Sequence, residues 1–234
     1  MVRPSGLLEP LLRRALAIYR GDGTRVEFLY HVLGAGTQAL SKLKSDDEVD
    51  ILIPLGNSWP LATSAGQRIR KAAVVAGGIG SASVLTLCRQ LKETGVETTV
   101  LFGAADERAA VGCGLDHFRE LGLPMIVTTD DGSLGEKGLV TSALEKALSD
   151  DVETVYTCGP WPMMRRVSEI SMANGITCYA SLEAPMGCGF GVCVGCVVAV
   201  HVEAQGYGSY KRVCTDGSIF AAETIRWDVN AMGD

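Results

Sequence analysis

The sequence has no long hydrophobic run: nothing in its 234 residues approaches the ~20 consecutive apolar residues that cross a bilayer. Its opening, Met1-Val2-Arg3-Pro4-Ser5-Gly6, lacks the apolar core of a signal peptide. A cytoplasmic protein with no membrane partner is expected. Runs of lysine and arginine are missing too, and a net charge of −6 with a pI near 5.2 argues against a nucleic-acid surface. There are no repeats or low-complexity segments. The length exceeds the usual single domain, so two domains and a small appendage are expected.

What the chain does have is cysteine in a pattern. Cys188, Cys193, Cys196 and Cys214 follow C-x4-C-x2-C-x17-C, the plant-type spacing that holds a [2Fe-2S] cluster. Glycines alternate with the thiols from Gly187 to Cys196, so the backbone can curl and aim N–H groups at sulfur, which stabilises added electron density. Four thiolates also suit a structural zinc, and Cys193-x2-Cys196 is a common half of one. Zinc ribbons usually pair two such knuckles, however, and here the last ligand stands alone. Disulfides have little support without an oxidising compartment. Of the remaining cysteines, Cys88 falls on the apolar face of a helical stretch and reads as core. Cys113 and Cys178 have no partner pattern and receive no role.

Three segments follow from periodicity. Residues 1–68 read as β-rich, with strands at Arg25–Leu33 and Val49–Ile53, a turn at Gly21-Asp22-Gly23, a short helix over Thr37–Lys44 and a modest linker at Gly66-Gln67-Arg68. Residues 69–175 alternate β-branched runs (72–76, 98–102, 125–128, 152–157) with helical stretches (81–93, 139–148, 162–173), which implies a parallel sheet with crossover helices. Residues 176–234 return to strands around the cysteine loop.

In the middle segment Gly77-Gly78-Ile79-Gly80 follows a strand and opens a helix, where a dinucleotide pyrophosphate settles on backbone N–H groups. Gly78-x-Gly80-x-x-Ser83 lacks the third glycine of that fingerprint, and such turns also serve plain packing. Asp106, after the next strand, suits a ribose 2′-OH and so NAD over NADP, and it equally suits the cap of a helix. Cys158-Gly159-Pro160 marks another strand-to-helix turn.

On these residues the chain resembles the ferredoxin-reductase superfamily and, more closely, the electron-transfer subunits of NAD-linked bacterial dihydroorotate dehydrogenases. The resemblance runs through nearly the whole chain. Its most specific parts are Ser181-Leu182-Glu183 through Cys196, Val213-Cys214-Thr215-Asp216-Gly217, Thr129-Asp130-Asp131-Gly132-Ser133-x-Gly135-x-Lys137-Gly138, Cys158-Gly159-Pro160-x-Pro162-Met163, and Tyr30-x-Val32-x-Gly34-x-Gly36-Thr37.

That resemblance implies a mixed β and α/β fold: an FAD-binding β-barrel over 1–68, an NAD-binding parallel-sheet domain over 69–175 and a small [2Fe-2S] domain over 176–234. It carries flavin contacts onto Arg14, Ala15, Leu16 and Ala17, onto Leu29, Tyr30 and His31, and onto Gly36 and Thr37. NAD contacts fall on Gly77, Gly78, Gly80, Asp106, Cys158, Gly159 and Pro160, with Cys158 bordering the nicotinamide. It also implies a catalytic FMN-containing dihydroorotate dehydrogenase subunit as partner in a heterotetramer. Electrons would pass from that flavin through the cluster and FAD to NAD⁺, within pyrimidine biosynthesis.

The chain departs from the family in two places. Arg14-Ala15-Leu16-Ala17 stands where Arg-Pro-x-Ser is usual, so a hydroxyl beside the flavin ring is missing. Met1-Val2-Arg3-Pro4 resembles the middle of a barrel strand, so the first barrel strands are expected to be absent. The rival readings are the small diaphorase-type subunit of a flavin-based transhydrogenase or hydrogenase and, from another class, a non-enzymatic nucleotide-binding protein with structural zinc.

Overall fold

In a computed structural model that describes residues 1–6, 9–63, 66–148, 151–201 and 209–229, the N-terminal part contains strands β1 (Val2–Pro4), β2 (Arg20–Gly21) and β3 (Val26–Glu27), helix α1 (Ala35–Leu40) and strand β4 (Val49–Ile51). They form two antiparallel ladders, β1 with β4 and β2 with β3. Backbone hydrogen bonds between Val2 and Arg14 add a third strand-like contact to β1. Asp50 ties these pieces together: its carboxylate accepts from Arg3 Nε at 2.9 Å and from an Arg13 guanidinium nitrogen at 2.6 Å.

The two guanidinium groups, Arg13 first, hold the Asp50 carboxyl below the usual aspartate range. A depressed folded pKa contributes stability above the unfolded value and loses it as pH falls through the folded one. Asp50→Asn is therefore expected to speed amide exchange in residues 1–6 and 49–51 at neutral pH. The difference from wild type should shrink on acidification below the ordinary aspartate pKa. Equal exchange rates at pH 7 would show that the pair contributes nothing.

The long strand expected over Arg25–Leu33 is paired only at Val26 and Glu27. Beyond them the chain leaves the ladder: Leu29 packs into the neighbouring core, and His31 Nε2 lies 3.8 Å from Cys113 Sγ. Side-chain docking on the next domain has replaced strand pairing. The helix expected over Thr37–Lys44 lies two residues earlier, because Thr37 Oγ1 accepts from the N–H groups of Leu33 and Gly34 and so sets its start. Gly66-Gln67-Arg68 is a pinned turn, with an Ala62–Arg68 bridge and Thr63 N–H donating to Gln67 O.

The apolar runs of the middle segment become strands because each is buried from both sides. In chain order come β5 (Lys71–Gly77), α2 (Ser81–Glu93), β6 (Glu97–Ala104), α3 (Glu107–Gly112), α4 (Leu115–Glu120), β7 (Met125–Thr129), β8 (Glu136–Lys137), α5 (Val140–Ala147), β9 (Thr154–Cys158), α6 (Trp161–Ala173) and β10 (Thr177–Ser181). After the cysteine loop follow β11 (Val197–Ala199), β12 (Tyr210–Arg212) and β13 (Ile219–Ala221).

The main sheet has the order β13-β10-β9-β5-β6-β7-β8, parallel except for β13. It continues past residue 176, taking in β10 and β13. Val74, Ala76, Phe102 and Tyr156 pack on one face with α2, α3 and α4. Val75, Leu101 and Val155 pack on the other with α5 and α6, in a core that also takes in Cys196, Val213, Cys214 and Ile225 of the last segment. Successive strands run outward from β5 in both directions, so the sheet reverses between β5 and β9. The crevice at the carboxyl ends of strands at such a reversal is where α/β sheets hold ligands.

Candidate functional site

Two features carry the candidate chemistry: the turns after β5 and β9, at the reversal, and the cysteine loop. The loop owes its shape to its small residues. Gly189 and Gly191 take φ of 84° and 89°, a left-handed conformation that costs glycine no steric penalty. Val194, between two of the cysteines, takes φ of 55°, rare for a β-branched residue. Arg212 braces the loop by donating to Gly191 O at 3.3 Å, while its own N–H donates to Asp216 Oδ2 at 2.8 Å.

Cys193 is exposed, Cys188 half-buried, and Cys196 and Cys214 buried. Cys196 and Cys214 belong to one buried core with Val198 and Val213. Among the described residues no three His, Cys, Asp or Glu side chains gather around one point. The N–H of Cys193 donates to Cys188 Sγ at 3.5 Å. That bond and one from the Phe190 N–H bring the Cys188 thiol down to about 6, whereas burial, then the neighbouring Cys196, pushes Cys214 up to about 11. One side of the loop favours thiolate through backbone dipoles; the other is dry.

At the carboxyl ends of the central strands, Gly77 and Gly80 permit a close approach that no other residue allows. A Cβ on Gly80 would meet the backbone of Cys158 and Gly159, and one on Gly77 would meet Met163. The turns Gly77–Gly80 and Cys158–Pro160 therefore lie against each other, with their N–H groups at the starts of α2 and α6. Cys158 is fully buried, and burial, then the nearby Glu183 carboxylate, pushes its thiol up to about 12. It is a neutral thiol and no nucleophile at physiological pH. Asp106 caps α3, its Oδ1 accepting from Ala109 N–H at 2.7 Å, which leaves its second oxygen available.

The flavin-assigned residues fall into two groups. Arg14 lies across the start of α1: a side chain on Gly36 would occupy the place of its guanidinium. Thr37 caps the same turn. A cation and the unbonded N–H groups of a helix start thus converge. Leu29 and His31, on either side of Tyr30, form the second group, against Gly114 and Cys113, while Ala15, Leu16 and Ala17 continue from Arg14 along the same segment.

Three contributors were not singled out from the sequence. Asn57 acts as a false strand partner: its side chain donates to Ile219 O at 2.8 Å and accepts from Ile219 N–H at 3.0 Å, while its backbone N–H donates to Gly217 O at 2.6 Å. It fastens the chain around residue 57 to the chain after Cys214. Ser133 Oγ accepts from Glu107 N–H at 2.8 Å and donates to Asp131 Oδ1 at 2.7 Å, joining the Asp131–Ser133 turn to the start of α3. Ser83, in place of the fingerprint's third glycine, donates to Ser181 Oγ at 2.9 Å. Ser83 left a trace in the sequence as that departure and Ser133 as a member of the Thr129–Gly138 motif; Asn57 left none.

Known proteins resemble this arrangement along its length. The family described as the iron-sulfur cluster binding domain of dihydroorotate dehydrogenase B matches residues 183–226. The dihydroorotate dehydrogenase B (NAD(+)) electron transfer subunit of Caldanaerobacter subterraneus subsp. tengcongensis is 38% identical over 214 residues, covering 92% of this chain and 81% of that protein. Its counterpart from Geobacillus thermodenitrificans is 40% identical over 221 residues, covering 93% and 81%. Among solved structures, that of the NADH-dependent reduced ferredoxin-NADP oxidoreductase, a study of flavin-based electron bifurcation, aligns with a TM-score of 0.79 and 29% identity over 93% of this chain and 75% of that one. With that identity and coverage, the chain belongs to the family of dihydroorotate dehydrogenase B electron transfer subunits.

Proposed function

We propose that the chain relays electrons from a dihydroorotate-oxidising catalytic subunit to NAD⁺, as the electron-transfer component of an oxidoreductase in pyrimidine biosynthesis. The observation that carries this reading is the spacing of Cys188, Cys193, Cys196 and Cys214, within the stretch 183–226 that the iron-sulfur family matches, inside a chain of this family. A mononuclear zinc needs four donors around one ion, whereas a two-iron cluster takes two thiolates on each iron. The C-x4-C-x2-C-x17-C spacing suits the second arrangement. The Cys193 N–H on Cys188 Sγ suits a sulfur that gains electron density.

The cradle of Arg14, Gly36 and Thr37 fits the pyrophosphate of FAD: a bidentate cation faces a helix start that carries no side chain at Gly36. Leu29, Tyr30 and His31 would border the flavin. The Gly77–Gly80 turn fits a dinucleotide pyrophosphate, Asp106 would take the ribose through its free oxygen, and Cys158–Pro160 would border the nicotinamide. When bound, FAD supplies the exchange between single electrons and hydride, and the cluster, at about −400 mV in its plant-type relatives, supplies single-electron passage. The chain's own part is to hold these groups in place, shield them from water and set the dipoles around them.

The partner is a catalytic subunit that we take to carry FMN, in a heterotetramer located in the cytoplasm. Among the described residues no helix is long and apolar enough to cross a membrane. In the co-purified complex, dihydroorotate is expected to drive NADH formation, and the chain alone is expected to leave dihydroorotate untouched. The transhydrogenase-type rival predicts instead that reduced ferredoxin, and not dihydroorotate, drives nucleotide reduction. A complex that forms no NADH from dihydroorotate would overturn the assignment.

Arg14→Ala is expected to lower FAD content in the purified complex to a small fraction of one per chain while leaving iron content unchanged. Full FAD occupancy in that variant would remove Arg14 from the flavin site.

A further inference from the structure

The four candidate ligands stand on two supports of unlike rigidity. Cys196 and Cys214 lie inside the core that packs on α5 and α6, and Cys196 O accepts from Val213 N–H at 2.7 Å, so burial and strand pairing fix this half. Cys188 and Cys193 belong to a loop that burial does not hold. Phe190, Val192 and Val194 are 53%, 73% and 58% exposed, and Cys193 is exposed beside them. Apolar side chains left in water do not anchor the backbone that carries them.

The loop is held instead through its glycines. Gly189 lies against Met1 and Leu55 of the N-terminal part, and Gly191 lies against Thr215 and the Arg212 guanidinium; a Cβ at either glycine would collide. Among the described residues, Arg212 is the one side chain that donates to a carbonyl of residues 187–195, reaching Gly191 O at 3.3 Å. Asp216 aims it: Oδ2 accepts from the Arg212 backbone N–H at 2.8 Å and from Nε at 3.5 Å. Asn57 steadies the same turn through Gly217 and Ile219. Arg212 and Asp216 are both partly exposed, where an ion pair adds little to global stability. What the pair supplies is direction.

We propose that the stretch from Cys188 to Gly195 is a flap that closes on the fixed half formed by Cys196 and Cys214, and that Arg212, aimed by Asp216, is the positioning residue that holds it closed. The inference rests on the electron-relay reading given above, because it concerns how that relay's iron-sulfur ligands are brought together. The arginine fork serves two acceptors at once, the carboxylate through Nε and the loop carbonyl through a terminal nitrogen. A lysine ammonium does not reproduce that geometry.

The first measurement is amide hydrogen exchange on the metal-free protein, which needs no bound group. Arg212→Ala is expected to speed exchange about tenfold over residues 189–195, the change in an opening equilibrium that one hydrogen bond from a charged donor corresponds to. Exchange in residues 197–199 and 219–221 should stay as in wild type, with the melting temperature within about a degree. The second is release of iron to excess chelator from the co-purified complex, followed by absorbance, which should also be about tenfold faster. Asp216→Ala should behave as Arg212→Ala does, Asp216→Asn, which keeps an acceptor oxygen, should stay near wild type, and Arg212→Lys should fail to restore slow release. Wild-type exchange and release in Arg212→Ala overturn the latch. Acceleration that spreads through 197–199 and 219–221 with a fall in melting temperature also overturns it, by marking Arg212 as a general structural support. A wild-type complex without iron and acid-labile sulfide would overturn the electron-relay reading, and the exchange measurement would still decide the flap.

Discussion

Cys193→Ser is expected to abolish the iron-sulfur absorbance and paramagnetic signal, with iron and acid-labile sulfide falling to background. A serine hydroxyl stays protonated at neutral pH, so one iron would lose half of its protein ligands. The position is well chosen because Cys193 is exposed. The apoprotein's melting should move by no more than about 0.5 kcal/mol, as for other surface substitutions, and NADH binding should persist. The same change at Cys196 or Cys214 would be ambiguous, because both belong to the core shared with α5 and α6. An undiminished signal in Cys193→Ser would remove that residue from the ligand set.

Gly80→Ala is expected to have the second largest effect. The added methyl would occupy the place of the Cys158 carbonyl and the Gly159 nitrogen, and backbone cannot swing aside as a side chain does. Overpacking of this kind costs about 1–3 kcal/mol. To relieve it the two turns must separate, and the separation opens the cradle proposed for the dinucleotide. A drop of several degrees in melting temperature and at least about a tenfold loss of NADH affinity are expected, the latter corresponding to about 1.4 kcal/mol. Gly112→Ala is the control, since a methyl there meets no atom within 4 Å. NADH titration and thermal melts of the two variants decide the matter: wild-type affinity in Gly80→Ala would detach the turn from nucleotide binding.

The middle of the chain was legible because each apolar run there is buried on both faces and each helix is bounded by its own glycine or proline. Ser81–Glu93 is the helix that the pattern predicts, and the Val74–Gly77 strand leads into it as the glycines require. The first segment read less well for a physical reason. In Arg25–Leu33 the alternation that suggests a ladder is used past Glu27 for packing Leu29 and His31 on the adjacent domain. The extent of β10 and β13 was also hidden, since pairing with β9 is a long-range choice that local periodicity does not encode. Asn57 is the clearest case: its worth lies in two backbone groups of Ile219, 162 residues away, and nothing beside it in sequence announces them.

The sheet that runs through residue 176 also decides how the molecule can be taken apart. Cutting the chain there to obtain a free-standing cysteine module would strip β10 of its parallel neighbour β9 and open a row of unpaired backbone groups along its length. The same cut would bare the Val198, Val213 and Ile225 side of a core whose other half stays with α5 and α6. A minimal cysteine-bearing fragment must therefore begin no later than β5, and shorter ones should collect as aggregates.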